Sequence, residues 1–245
     1  MQKSLEYLTH VSELLSRAAQ SQLSGVNALA RAIADCTAQG RGVYLFGTGH
    51  SCLLAQELFY RAGGLVRLQP MLEPELMLHV SASESTLFER DSTRAAALLE
   101  RYNIATDDLL LIISNSGRNP LIVELALQAK VWGCRVAALT SLSHSMSGSS
   151  RHESGKRLCE AADIVLDNLG QPGDACVSYE NFAGLAAPTS TVIGAALLQA
   201  AAAQTVQYLI DDGIQPEVFA SSNIDQGDAI NEAYLSKYRK EILYL

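Results

Sequence analysis

Three observations predict an α/β fold built on a parallel sheet covered on both faces. Short runs at Val43–Phe46, Leu109–Ile113 and Arg135–Leu139 are apolar without alternating, which suits strands buried on both sides. Segments with apolar residues at three- and four-residue spacing separate these runs, as the crossover connections of a parallel sheet require. Two turns rich in glycine and serine follow strand ends directly: Gly47-Thr48-Gly49-His50-Ser51 and Ser114-Asn115-Ser116-Gly117-Arg118-Asn119-Pro120.

Taken in order, Ser4 to about Gln20 and Gly25 to Thr37 read as two leading helices, with Leu5, Leu8, Val11, Leu14 and Leu15 on the first and Val26, Leu29, Ala30 and Ile33 on the second. The strand Val43–Phe46 leads to a helix over Cys52–Ala62, a strand at Leu65–Leu68 and a helical stretch near Glu73–His79. Asp91–Arg101 reads as a helix and Leu109–Ile113 as a strand. Pro120–Trp132 is a helix whose proline sits in the first turn, where its missing N–H is not needed. Strands at Arg135–Leu139 and Ile164–Leu166 follow. A long helix runs from Pro188 to about Ile210, and Asp225–Glu241 closes the chain as an amphipathic helix. The polar loops Thr140–Lys156 and Asn168–Ser178 both follow strands and are placed to border one pocket. With no internal repeat or linker, one domain over 1–245 is expected, comprising leading helices 1–40, an α/β core 41–212 and a helical extension 213–245.

The composition narrows the function classes. At 245 residues and 48% hydrophobic content, the chain can bury one substantial core. A net charge of −8 argues against nucleic acid or an anionic membrane as partner, since such surfaces are met by clustered Lys and Arg. The five scattered cysteines form no C-x-x-C pair, so reduced thiols are expected, with no metal or cofactor. Met1 is followed by Gln2-Lys3-Ser4-Leu5-Glu6, which lacks a signal-peptide core, and a cytoplasmic location is expected. No charge occurs between Glu180 and Asp211, yet Gln199, Gln204 and Gln207 interrupt the apolar stretch and no basic flank is present. It reads as a helix buried on nearly all sides, with no membrane span.

Both turns have the strand–turn–helix arrangement that offers free backbone N–H groups to an anion, with hydroxyls alongside. Phosphate is the expected guest. A dinucleotide fingerprint would need glycine where Cys52 stands, and a P-loop would need Ser or Thr after Gly155-Lys156, where Arg157 stands.

What these residues resemble is the sugar isomerase (SIS) domain family of phosphosugar-binding proteins, marked by Gly-x-Gly-x-Ser after the first strand and Ser-x-Ser-Gly about sixty residues later. Thr140-Ser141 and Ser190-Thr191 also match recurrent features of that family, and the likeness runs from the leading helices to the end of the long one. More narrowly, Ser150–Lys156, Ala162–Asn168 and Pro188-Thr189-Ser190-Thr191 are similar to a single-domain SIS group of bacterial proteins. The resemblance implies a three-layer α/β/α, flavodoxin-like fold with a five-stranded parallel sheet. It also implies a homodimer or homotetramer with sites near subunit contacts. It marks Gly47, Thr48, Gly49, His50, Ser51, Ser114, Asn115, Ser116, Gly117, Asn119, Ser190 and Thr191 as phosphosugar-binding candidates.

The family includes aldose/ketose isomerases, a lactyl-ether lyase and regulators that only sense sugar phosphates, so the fold alone does not fix the reaction. Isomerisation through an enediol needs a base between neighbouring carbons and a group that opens the ring. In related isomerases a glutamate shortly precedes the late Ser-Thr pair. Here Gly184-Leu185-Ala186-Ala187-Pro188 fills those positions, and Glu180 is the nearest carboxylate. Glu180 is the candidate base and His152 the candidate ring-opening histidine, with His50 placed to bond sugar hydroxyls. Glu57 and Arg61 read as a helix ion pair, and Glu84 and Arg90 as surface residues of a polar stretch near the pocket. Binding of a phosphorylated sugar or amino sugar, with aldose/ketose isomerisation, is the leading expectation, and a phosphosugar sensor or an ether lyase are the alternatives.

Overall fold

A computed structural model of the chain describes residues 2–245. Helices α1 (Lys3–Ser21) and α2 (Leu23–Ala38) lead into β1 (Val43–Gly47), every residue of which is buried. Then come α3 (Ser51–Leu58), β2 (Leu68–Met71), a short 3₁₀ turn at Pro74–Leu76, α4 (Leu78–Phe88) and α5 (Arg94–Arg101). The chain continues through β3 (Leu109–Ile113), α6 (Pro120–Val131), β4 (Arg135–Thr140), α7 (Leu142–Met146), α8 (Leu158–Ala161) and β5 (Ile164–Asp167). A hairpin of β6 (Ala175–Tyr179) and β7 (Phe182–Pro188) precedes α9 (Ser190–Asp211) and α10 (Gly227–Tyr238).

Five strands form one parallel sheet in the order β2-β1-β3-β4-β5. Side chains alternate between its faces. Val43, Leu45, Leu109, Leu111, Leu139 and Leu166 pack with α1, α2, α3 and α9, while Phe46, Leu110, Ile112, Val136 and Ala138 pack with α5, α6 and α8. This is the three-layer α/β/α arrangement with a five-stranded sheet. The order reverses between β1 and β3, and ligand crevices in such sheets open beyond the carboxyl ends at that point.

Several elements differ from the sequence expectation. The edge strand is Leu68–Met71 and not Leu65–Leu68, because Leu65 bridges to Val218 and the Val66 N–H donates to the Glu217 carbonyl. Val66 packs in the C-terminal cluster with Phe219, Tyr238 and Ile242 while Leu65 packs in the main core, and Pro70 is tolerated because β2 is an edge. Helix α3 ends at Leu58, four residues early, and the stretch at Glu73–His79 divides between the 3₁₀ turn and the start of α4. The loop Thr140–Lys156 contains α7. Asn168–Ser178 runs into the antiparallel hairpin, whose Ala- and Gly-rich strand β7 carries no apolar alternation. Helix α9 is buried along one stripe, Ile193, Leu197, Leu198, Ala201, Thr205 and Leu209, and not on nearly all sides; Val192 and Ile210 are exposed.

Gly47 ends β1 where the chain folds back tightly: a Cβ there would lie 2.6 Å from the backbone carbonyl carbon and oxygen of Ser51. Backbone cannot give way as a flexible side chain can. Gly47→Ala is expected to lower stability by about 1–3 kcal/mol, read by chemical denaturation, with the loss localised to the first turn.

Candidate functional site

Register places the two turns level with each other, since Gly47 at the end of β1 sits opposite Ile113 at the end of β3. Beyond these ends opens a cavity of about 440 Å³ lined by His50, Ser51, Asn115, Asn168, Asp174, Ser190 and Thr191, with an apolar wall of Leu54, Ile113, Leu139, Leu185 and Ala186. His50 and Asp174 are the titratable lining residues, and no Lys or Arg lines it.

Asn115 joins three loops. Its Oδ1 accepts from Asn168 Nδ2 at 2.9 Å, and its carbonyl accepts from the Ser141 N–H at 3.0 Å and Thr140 Oγ1 at 3.2 Å. Its Nδ2 lies 3.4 Å from His144 Nδ1, and burial pushes the His144 imidazole below its ordinary pKa, so the neutral ring can accept there. The Gly117 N–H donates to Ser114 Oγ at 3.2 Å, and Gly117 takes φ +58°. The N–H groups of Asn115, Ser116, Arg118 and Asn119 donate to no other group among the described residues, nor do the Ser51, Ser116 and Thr191 hydroxyls. A turn with several free N–H groups beside free hydroxyls is suited to an oxyanion.

Not every marked residue keeps its polar atoms free. Thr48 Oγ1 donates to Glu89 Oε2 at 2.9 Å, and Asn119 Oδ1 accepts from Arg151 Nη1 at 2.8 Å; both are buried behind the turns. Ser190 Oγ donates to Asp174 Oδ2 at 2.5 Å. Arg118 turns away from the cavity and donates to the Ser149 carbonyl at 2.6 Å.

Glu180 and His152 do not converge on the cavity. Glu180 is exposed in the two-residue tip between β6 and β7. His152 is buried with Nε2 2.7 Å from Glu124 Oε2 on α6 and Nδ1 2.8 Å from Ser154 Oγ, which pins its loop to that helix. Each sits in a polar segment of the expected kind, but segment composition carries no information on side-chain direction. Missed in their place were Asp174 and Asn168, which stand in the loop after β5, and the wall supplied by β7. That loop's position after a strand was the available signal. Glu57 and Arg61 form the expected ion pair.

The SIS domain family model matches residues 6–141. This chain belongs to the SIS-domain family. Its relatives include a UPF0309 protein of Geobacillus thermodenitrificans, 38% identical over 97% of this chain and 95% of the relative. A UPF0309 protein of Halalkalibacterium halodurans is 39% identical over 96% of this chain and 94% of the relative. Among solved structures, a phosphoheptose isomerase from Francisella tularensis shares the fold at a TM-score of 0.54 and 19% identity, covering 84% of this chain and 97% of that one. A phosphoheptose isomerase from Neisseria gonorrhoeae does so at 0.52 and 14%, covering 86% and 98%.

Burial pushes the Glu89 carboxyl above its ordinary pKa, with the Thr48 hydrogen bond opposing. A raised folded-state value means stability contributed below the unfolded value of 4.5 is lost as pH rises through the folded one. Glu89→Gln, which stays neutral and can still accept from Thr48, is expected to gain stability relative to the wild type between pH 4 and pH 7. Denaturation midpoints across that range check it.

Proposed function

We propose that this protein binds a phosphorylated sugar in the cavity beyond β1 and β3 and interconverts its aldose and ketose forms. The carrying observation is a turn whose Asn115, Ser116, Arg118 and Asn119 N–H groups are free and which reaches the cavity at Asn115, where the free hydroxyls of Ser51 and Thr191 also line the wall at the switch point of the sheet. Phosphate seated there is met by neutral donors, in keeping with an acidic chain and a cavity without Lys or Arg. Phosphoheptose isomerases with the same fold support the sugar-phosphate class.

Isomerisation moves a proton between neighbouring carbons while the carbonyl oxygen shifts between them. His50 is the imidazole lining the cavity and makes no hydrogen bond among the described residues, so it is the group free to carry that proton. Ser51 and Thr191 are placed to bond the developing oxyanion or the ring hydroxyls. A non-catalytic sensor is the second reading, favoured by one observation: the lining carboxylate, Asp174, is already occupied by three hydrogen bonds, leaving no free carboxylate base. We further infer a cytoplasmic single-domain protein that self-associates as a homodimer or homotetramer. The exposed Leu5 and Leu8 on α1 and Tyr179, Phe182 and Leu185 on the hairpin support self-association.

A thermal-shift panel of sugar phosphates and their unphosphorylated forms, followed by NMR of any stabilising ligand, tests these readings. Stabilisation confined to phosphorylated forms, with conversion in the NMR spectrum, is expected. His50→Gln should abolish turnover while keeping the shift, and Ser116→Ala should weaken binding about tenfold. Stabilisation without conversion would favour the sensor. The absence of any phosphate-dependent shift would overturn both.

A further inference from the structure

Asp174 is held in its place against two local preferences. Thr189 stands at the N-cap of α9, a position where a threonine hydroxyl ordinarily accepts a hydrogen bond from the first turn of its own helix. Its Oγ1 is instead buried without a partner, and the residue is 0% exposed. The cap comes from fifteen residues upstream: Asp174 Oδ1 accepts from the Thr189 N–H at 3.1 Å and the Ser190 N–H at 2.9 Å, while Oδ2 accepts from Ser190 Oγ at 2.5 Å. Asp174 does this from the left-handed backbone region, at φ +67°, and Ala187, across the base of the hairpin and also on the cavity wall, has φ +62°. An orphaned hydroxyl and two non-glycine residues at positive φ are unfavourable features that capping alone does not require.

What this placement achieves is a carboxylate at the cavity wall. Three hydrogen bonds use three of its four acceptor directions and leave one on Oδ2. Asp174 thereby takes the first two amides at the start of α9 and sets an anion beside the next ones, so a ligand phosphate seats at the free N–H groups of the Asn115–Asn119 turn. The rest of the ligand extends along the wall that carries Asp174. With no Lys or Arg among the lining residues, a purely hydroxylic sugar phosphate would add its negative charge to that of Asp174 without compensation.

We propose that Asp174 selects a sugar phosphate that carries a free ammonium group, accepting a charge-assisted hydrogen bond from it and having its own negative charge offset. This rests on the phosphosugar reading above and narrows it to amino sugar phosphates. N-acetylation, which removes the charge, abolishes the preference.

Calorimetric titration of the full chain with glucosamine 6-phosphate, glucose 6-phosphate and N-acetylglucosamine 6-phosphate tests the assignment. The free amine is expected to bind about tenfold tighter than either counterpart, and Asp174→Asn should bring the three affinities together. Equal affinities in the wild type would overturn the ammonium assignment and leave phosphosugar binding standing. A preference that survives unchanged in D174N would remove Asp174 from the account. Binding of none of the three would count against the phosphosugar reading as well. If D174N does not fold, the wild-type ratio decides the preference on its own.

Discussion

Parallel pairing of β1 with β3 is the constraint from which the site follows. Gly47 and Ile113 lie opposite one another, so both turns leave the sheet at the same height, and the helices that begin beyond them, α3 and α6, cover opposite faces of the sheet. Had the register slipped by two residues, one turn would stand a strand step of roughly 7 Å above the other, and a single phosphate could not span them. The apolar residues of β1 and β3, buried on both faces, fix that register. Asn115 then extends the alignment across the sheet by bonding to Thr140 at the end of β4, Ser141 just after it and Asn168 after β5.

Charge is divided between the back and the front of these loops. Behind the turns, Glu89 holds Thr48, Arg151 holds Asn119, and the Leu121 N–H donates to the Glu89 carbonyl at 3.3 Å, which ties the first turn to the start of α6. Glu124 and His152 brace the loop before α8 in the same manner. In front, the cavity offers mostly neutral donors and acceptors. Ionic and ionisable groups serve as braces where they are partly withdrawn from water, and the turn facing the cavity keeps its N–H groups unspent.

Legibility in the sequence follows the same division. Strands β1, β3, β4 and β5 are legible because continuous apolar runs leave little alternative, and both turns are legible because glycine and serine fall directly after such runs. Leu65 and Val66 look like strand residues, but Leu65 makes a single bridge and Val66 lies in a turn, and their partners, Val218 and Glu217, lie about 150 residues later in the chain, which no local pattern encodes. The hairpin is hidden by Ala183, Gly184, Ala186 and Ala187, small residues that face solvent or, at Ala186 and Ala187, line the cavity instead of a core. The role of Asp174 is invisible for a related reason: a cap supplied across fifteen residues is a tertiary contact, whereas the local candidate, Thr189, is the one any propensity rule selects. Glu180 and His152 show the converse, being well chosen by residue type and wrongly placed by direction.

The two open flanks of the sheet are each closed by the chain itself. Along β5, the Gln22 side chain accepts from the Asp167 N–H at 2.9 Å, and Gly25 comes so near that a Cβ would lie 3.1 Å from the Val165 carbonyl oxygen. Along β2, Pro70 offers no N–H, and the segment at Glu217–Val218 occupies the backbone of Leu65 and Val66 just before it. A strand from another molecule therefore finds no continuous row of amides to copy, and the sheet cannot grow by templating. Cross-β growth on the five-stranded sheet would first require the α1–α2 junction or the C-terminal segment to come away, which leaves the separate β6–β7 ribbon as the backbone edge outside that protection.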